Sequence, residues 1–205
     1  MKNFELYVDG ASEPRNPGGI ISYGVVIIEG GRIVFKKGEV IEDPPKRTNN
    51  VGEYIALIEG LKALKNIAKN EECRITVFSD SRLLINQVLG FWKINSDVLF
   101  SLKKQVEELV NSFNKNQKIS FRWIPREENM MADALSKEAY LNYMKKHPEL
   151  VERYKNFFAS EKQINFIKVL GGEIDDEIAK YMSKTMAGVI INDLKHRKRL
   201  IRKIF

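Results

Sequence analysis

Residues 20–64 read IISYGVVIIEGGRIVFKKGEVIEDPPKRTNNVGEYIALIEGLKAL, and the hydrophobic period changes partway through. Two β-rich runs, 20–28 and 32–40, are divided by Gly30-Gly31, a glycine pair that suits a hairpin. Residues 42–50, EDPPKRTNN, carry the punctuation of a loop. From Val51 the apolar positions fall at Tyr54, Ile55, Ile58, Leu61 and Leu64. That three-and-four spacing predicts an amphipathic helix of roughly four to five turns.

Upstream, residues 4–8 alternate, with Phe4, Leu6 and Val8 on one face and Glu5 and Tyr7 on the other. They predict a half-buried strand ending at Asp9-Gly10, with residues 11–19, ASEPRNPGG, as loop. Downstream, residues 74–79 (RITVFS) form a strand that ends at Asp80. A short helix is expected from about Ser81 to Leu89, a longer one near Asp97–Phe113, a strand over 119–124 and a helix over Ala132–Lys146. Strands joined through helices tend to be parallel. The expected fold is therefore α/β: a mixed five-stranded sheet, antiparallel over its first three strands and parallel after them, flanked by helices.

Beyond Pro148 the strand signal stops. Ser160-Glu161-Lys162-Gln163 has capping-box spacing, and Gly171-Gly172 supplies a helix stop. Asp175–Ser183 and Met186–Lys203 read as two further helices. The expected organisation is an α/β domain over 1–147 and a small all-α unit over 158–205, with the boundary near 148–158.

The 205 residues are 43% hydrophobic and 30% charged, enough apolar side chains for a core and too many for wholesale disorder. No apolar run approaches the roughly 20 residues of a membrane span, and the opening MKNFELYVDG lacks the apolar block of a signal peptide. The single cysteine, Cys73, can neither close an internal disulfide nor build a structural zinc site. A reducing cytoplasm is the expected compartment. Net charge is +7, from 34 Lys+Arg against 27 Asp+Glu; residues 195–205, KHRKRLIRKIF, hold six of those cations and no acid, which leaves +1 elsewhere. A basic terminus suits a polyanion partner, or simply complements a helix dipole at its C-terminal end.

Four acids fall where an acid is structurally awkward. Asp9 and Asp80 close two strands; Glu53 and Asp133 are expected in the first turns of two helices. Singly, each has an ordinary reading as a turn residue, a cap or a complement to the helix dipole. Gathered at one sheet edge, they would repel one another and need divalent cations. Oxygen ligands without nitrogen or sulfur select Mg²⁺ or Mn²⁺, and such a cluster suits two ions ~4 Å apart that support phosphodiester cleavage.

The surrounding residues narrow the reading. Asp9-Gly10 with Asn16-Pro17-Gly18, then Thr48-Asn49-Asn50-x-x-Glu53-Tyr54, then Ser79-Asp80-Ser81, then Asn129-x-x-Ala132-Asp133-x-Leu135-Ser136 together resemble type 1 ribonuclease H. The resemblance covers roughly residues 3–145, and residues 14–19 and 123–129 look most like the compact archaeal-type branch. It implies an endonuclease that cuts the RNA strand of an RNA–DNA hybrid to 3′-hydroxyl and 5′-phosphate ends, using two Mg²⁺ ions, with Mn²⁺ as a substitute. It also implies that Asp9, Glu53, Asp80 and Asp133 are the catalytic, metal-binding tetrad. Asp9 would bridge the ions, Glu53 would also orient an RNA 2′-hydroxyl, and Asp133 would be the most loosely held. Asn16, Thr48 and Asn49 match positions that hold backbone phosphates or sugar edges, and Ser81 and Arg126 join the expected substrate contacts. Broader cleavage that includes double-stranded RNA, or an inactive hybrid-binding module, are the alternatives.

The sequence also departs from the family. Many type 1 enzymes carry a loop histidine just before the last acid, whereas here Trp123 and Ile124 run into PREENMMAD, and the histidines are His147 and His196. The expectation is either that the enzyme works without that helper or that Arg126 or Glu127 partly substitutes for it. Gly90-Phe91-Trp92-Lys93 is a thin version of the family's Lys/Trp-rich protrusion. Trp92 is expected either to stack on a sugar or base or to sit in core between two helices.

In the C-terminal unit, Ile164, Ile167 and Leu170 form one expected apolar face, and Val189, Ile190, Leu194, Leu200 and Ile201 another. The segment ASEKQINFIKVLGG is similar to short helical appendages on assorted bacterial and phage proteins. The unit is expected to contact nucleic acid or a protein partner, and the chain to be a monomer without a membrane partner.

Overall fold

The computed structural model describes residues 1–204, with side chains through Arg197. Phe205 and the side chains from Lys198 on, including the Leu200 and Ile201 part of the expected apolar face, lie outside the described residues.

Strand β1 (Lys2–Glu13) runs four residues past the expected end at Asp9. Asp-Gly reads as a turn in sequence, but Gly10 is there for another reason. A Cβ on it would lie 2.0 Å from the Glu53 backbone nitrogen, so the position admits only glycine where the first helix crosses the strand. The hairpin then follows as expected, β2 (Ile20–Glu29) and β3 (Arg32–Ile41) pairing antiparallel. Helix α1 (Asn49–Ala68) is capped by Thr48, whose Oγ1 accepts from the Val51 N–H at 3.4 Å. The cap starts the helix two residues before the apolar period becomes visible.

Next come β4 (Cys73–Ser79), α2 (Arg82–Val88), α3 (Asp97–Asn111), β5 (Gln117–Trp123) and α4 (Met130–Lys146). The sheet order is β3-β2-β1-β4-β5, with β1–β4 and β4–β5 parallel. This is the mixed five-stranded sheet that the order of elements predicts, in the ribonuclease H-like arrangement that the motif resemblance implies. The face of β1 with Phe4, Leu6 and Val8 joins Tyr23, Val25 and Ile27 of β2 and Ile75 and Val77 of β4 beneath Tyr54, Leu57, Leu61 and Leu64 of α1. Each such side chain contributes about 1.5–3 kcal/mol on burial. On the opposite face α4 presses on β2, since a Cβ on Gly24 would meet the Ala132 carbonyl at 2.0 Å.

The chain divides into two units. One comprises Met1–Ser12 with Asn16–Tyr140; the other comprises Glu13–Arg15 with Leu141 onward. The second contains α5 (Glu149–Tyr154), where the sequence signals only a boundary, then α6 (Glu161–Val169), α7 (Asp176–Tyr181) and α8 (Lys184–Ile204). Ser160 and Gln163 form the capping box that their spacing predicts. Ile167, Met182, Met186 and Ala187 are buried, while Val189, expected on the apolar face, is exposed. Helix α8 begins at Lys184 with Met186, Ala187, Ile190 and Leu194 along one side, and Val189 falls outside that stripe. Among the described residues no helix is long and apolar enough to cross a membrane.

Candidate active site

The parallel register of β1 and β4 ends at Tyr7 opposite Phe78. Asp9 and Asp80 each lie two residues further along, so the register carries both to the carboxyl-side end of the β1–β4 pairing, Asp9 within the longer β1 and Asp80 just past the end of β4. Between β1 and β4 the chain's winding reverses, since β2 and β3 lie to one side of β1 and β4 and β5 to the other. Such a switch point at strand carboxyl ends is where open α/β sheets bind ligands.

Alternation along β1 turns Asp9 away from the Leu6 face and toward α4, where the Ser136 hydroxyl donates to its Oδ2. Asp9 is 6% exposed, and burial pushes its carboxyl up to about 6. The Asp133 and Asp80 charges raise it further, against the Ser136 hydrogen bond and Arg126. Glu53 falls in the second turn of α1 rather than the first, because the Thr48 cap starts the helix early. It is equally buried and accepts from the Ser79 hydroxyl at 3.5 Å. Burial drives its carboxyl well above the usual range, and Asp9 and Asp80 add to that. These shifts mark the carboxylates as neighbours that repel one another.

Asp80 is held from two directions. Its Oδ1 accepts from Asn129 Nδ2 at 2.7 Å, and its carbonyl accepts from the Trp123 indole at 3.0 Å. Asn129 also donates to the Val8 carbonyl at 3.0 Å, tying β1 to the start of α4, and its own Oδ1 is buried without a hydrogen-bond partner. The Arg82 guanidinium lies 4.3 Å over the Trp123 ring. Asp133, in the first turn of α4, is clasped by two cations: Arg126 Nη2 at 2.5 Å from Oδ1 and Lys137 Nζ at 2.5 Å from Oδ2. Arg126 lies in the 3-10 turn Arg126–Glu128, and Glu127 in that turn is exposed.

Among the described residues no three acidic, histidine or cysteine side chains form a group that could close around one ion. The donor set nevertheless suits a hard dication. It is all oxygen, two of its carboxylates are buried at a cost to their charged forms, and Arg126 and Lys137 already neutralise a third.

The expected substrate contacts fall into three places. Asn16 and Asn49 hold each other across the loop before β2 and the start of α1, Asn16 Nδ2 donating to Asn49 Oδ1 at 2.7 Å. The Asn49 N–H donates back to Asn16 Oδ1 at 3.2 Å, beside the Thr48 cap. Ser81 caps α2, accepting from the Leu84 N–H at 3.2 Å. Trp92 is 50% exposed and Phe91 beside it 73%, so Trp92 is not core. Gly90, at φ +78, ends the helix just before this pair.

The sequence alone assigns no role to Ser79, Asn129, Ser136 or Lys137. Their positions are the available signal: Asn129 stands one helical turn before Asp133, and Ser136 and Lys137 three and four residues after it.

Comparison with known proteins bears on the same region. A family model described as reverse transcriptase-like matches residues 9–139. A ribonuclease H of Campylobacter jejuni is 34% identical over 158 residues, covering 73% of this chain and 99% of that protein. A bifunctional protein of Mycobacterium tuberculosis is 32% identical over 136 residues; the match takes in 65% of this chain and only 34% of that protein, about a third of its length. Among solved structures, LC11-RNase H1 in complex with an RNA/DNA hybrid is 30% identical with a TM-score of 0.59, over 66% of this chain and 95% of that one.

Proposed function

The chain belongs to the type 1 ribonuclease H family, and from that premise we propose that it hydrolyses the RNA strand of RNA–DNA hybrids, leaving 3′-hydroxyl and 5′-phosphate ends. The observation that carries the reading is the pair Asp9 and Asp80, at equal steps beyond the last paired residues of β1 and β4, with buried Glu53 raised by both. A relative with the same fold binds an RNA/DNA hybrid, which favours the same substrate here.

Asp9, Glu53, Asp80 and Asp133 would hold two divalent ions, Mg²⁺ or Mn²⁺. When bound, such ions supply an activated water and charge stabilisation for the leaving oxygen. The protein's own residues do the positioning. Asn129 fixes the Asp80 carboxylate, Ser136 fixes Asp9, and Ser79 fixes Glu53. Glu53 orients the 2′-hydroxyl that separates RNA from DNA at a given site. Asn16, Thr48, Asn49, Ser81 and the exposed Trp92 contact the hybrid's backbone and sugars. Arg126, already on Asp133, takes the place of the absent loop histidine by steadying that acid against the charge developing on the substrate.

The test is cleavage of end-labelled RNA–DNA hybrid, RNA duplex and DNA duplex with Mg²⁺, Mn²⁺ or EDTA. Hybrid is expected to be cut with either ion and not in EDTA. Asp80→Asn is expected to lose more than about a hundredfold in kcat, because removing a metal ligand withdraws several kcal/mol of transition-state stabilisation. Near-wild-type cleavage by that variant would remove the metal assignment. Equal cutting of RNA duplex would widen the substrate class.

A further inference from the structure

The second unit carries a charge pattern that its own architecture leaves unanswered. Between residues 141 and 193 there are eight Lys+Arg and eight Asp+Glu, an even balance. Several of them pair within the unit: Lys145 with Glu177 at 3.1 Å, Lys168 with Asp176 at 3.1 Å, and Lys155 with Glu152. Asp193, the last acid in the sequence, is taken by Arg197 at 2.9 Å. From Lys195 onward the chain adds six cations and no acid, so the whole surplus lies at one end of α8.

Helix polarity does not account for this run. The macrodipole favours cations only within the last turn, whereas the ten helical residues from Lys195 to Ile204 rise roughly 15 Å, nearly three turns. Mutual repulsion along those turns weakens the helix unless a polyanion relieves it.

One side-chain arrangement points to the kind of polyanion. Lys195 Nζ lies 5.1 Å above the Phe166 ring on the neighbouring helix α6, and Phe166 is 39% exposed. Among the described residues Lys195 has no carboxylate partner. An exposed ring beside an unneutralised cation offers a stacking surface for a base or sugar next to a charge for its phosphate.

We propose that the α6–α8 face of the C-terminal unit, with Phe166, Lys195 and the basic end of α8, is a second nucleic-acid-binding surface. It holds a strand of the polynucleotide on which the catalytic unit acts, and so rests on the hybrid-cleavage reading above. Its contacts go mainly to phosphates, so it adds affinity without sequence preference. Because it is covalently joined to the nuclease, strand captured there reaches the catalytic unit at raised effective concentration. KM then depends on this surface and kcat does not.

The experiment uses the full chain. Binding of a fluorescein-labelled RNA–DNA hybrid is followed by anisotropy in EDTA across a salt series, and cleavage is measured in Mg²⁺. Two variants are compared with wild type: K195Q/R197Q/K198Q/R199Q/R202Q/K203Q, and the milder K195Q/R199Q/R202Q. Glutamine preserves helix propensity at each position, and circular dichroism checks that the helix remains.

Removing one phosphate-binding cation lowers the slope of log affinity against log salt by about 0.7–0.9. The sixfold variant is expected to flatten the slope by about two or more and raise KM at least about tenfold at physiological salt, with kcat at saturation unchanged. The triple variant is expected to give roughly half the change in slope, and Phe166→Ala a several-fold weaker Kd with the slope preserved. Wild-type slope and Kd in the triple variant would overturn the proposal and leave a protein partner for this face. If the wild-type chain binds hybrid through its basic end yet fails to cut it, the cleavage reading falls while this surface stands.

Discussion

Asp9 is a carboxylate kept where its charge is poorly solvated. Its ordinary value of 3.8 is moved to about 6 by burial and by Asp133 and Asp80. A group whose pKa is higher folded than unfolded stabilises the fold while both states are protonated, below about 4, and loses that contribution as pH rises through 6. At pH 7.5 without divalent ions the ionised Asp9 therefore strains the fold by about 3 kcal/mol. Asp9→Asn keeps an acceptor for the Ser136 hydroxyl and removes the charge. In EDTA at pH 7.5 the variant is expected to be more stable than wild type by a few kcal/mol, with the gap closing toward pH 4. Thermal melts across that range check it, and a variant no more stable at pH 7.5 would mean that Asp9 is better solvated than its burial implies.

At the scale of elements, the site depends on helices lying close enough to the sheet to deliver Glu53 and Asp133. Gly10 sets that distance for α1, since a methyl there would sit 2.0 Å from the Glu53 nitrogen. Gly10→Ala is expected to cost at least about 1–3 kcal/mol by overpacking, and to cut activity further by pushing Glu53 away from Asp9. Gly188, inside α8 with open space around its Cβ position, is the contrast. Gly188→Ala is expected to add about 0.5–1 kcal/mol through helix propensity alone. Urea unfolding of the two variants separates packing from propensity. Gly10 also shows where sequence stops being legible. The hairpin, α1, β4 and β5 can be read because their periods are local, and Asp80 and Asp133 because the end of β4 and the start of α4 are local too. That Asp9-Gly10 is strand pressed against a helix, rather than a turn, depends on a partner some forty residues away. The clasp of Arg126 and Lys137 on Asp133 is half visible, Lys137 by its i,i+4 spacing, but the bend that brings Arg126 back exists only in the folded turn. Val189 departs from its expected face because the arc of α8 that packs inward is set by Met186, Ala187, Ile190 and Leu194, and tertiary packing rather than local period decides which arc that is.

At the scale of the whole molecule, the proposed metal binding by the buried carboxylates would make stability conditional on a ligand. A dication that binds the folded chain and not the unfolded one adds RT ln(1 + [L]/Kd), about 2.7 kcal/mol at a hundred times Kd. Mg²⁺ is therefore expected to raise the Tm of wild type progressively and to saturate. Simple screening acts differently, because salt weakens repulsion between exposed charges far more than between buried ones. Asp9 and Glu53 are each 6% exposed, so NaCl at matched ionic strength should give little of the effect. The basic end of α8 responds to both salts alike and cancels in that comparison. Asp9→Asn/Asp80→Asn, which removes two of the acids, is expected to start from a higher Tm and to show no Mg²⁺-specific rise. If NaCl reproduced the wild-type shift, or the double variant kept it, the ion would be acting on the surface charge of the chain rather than at Asp9, Glu53 and Asp80.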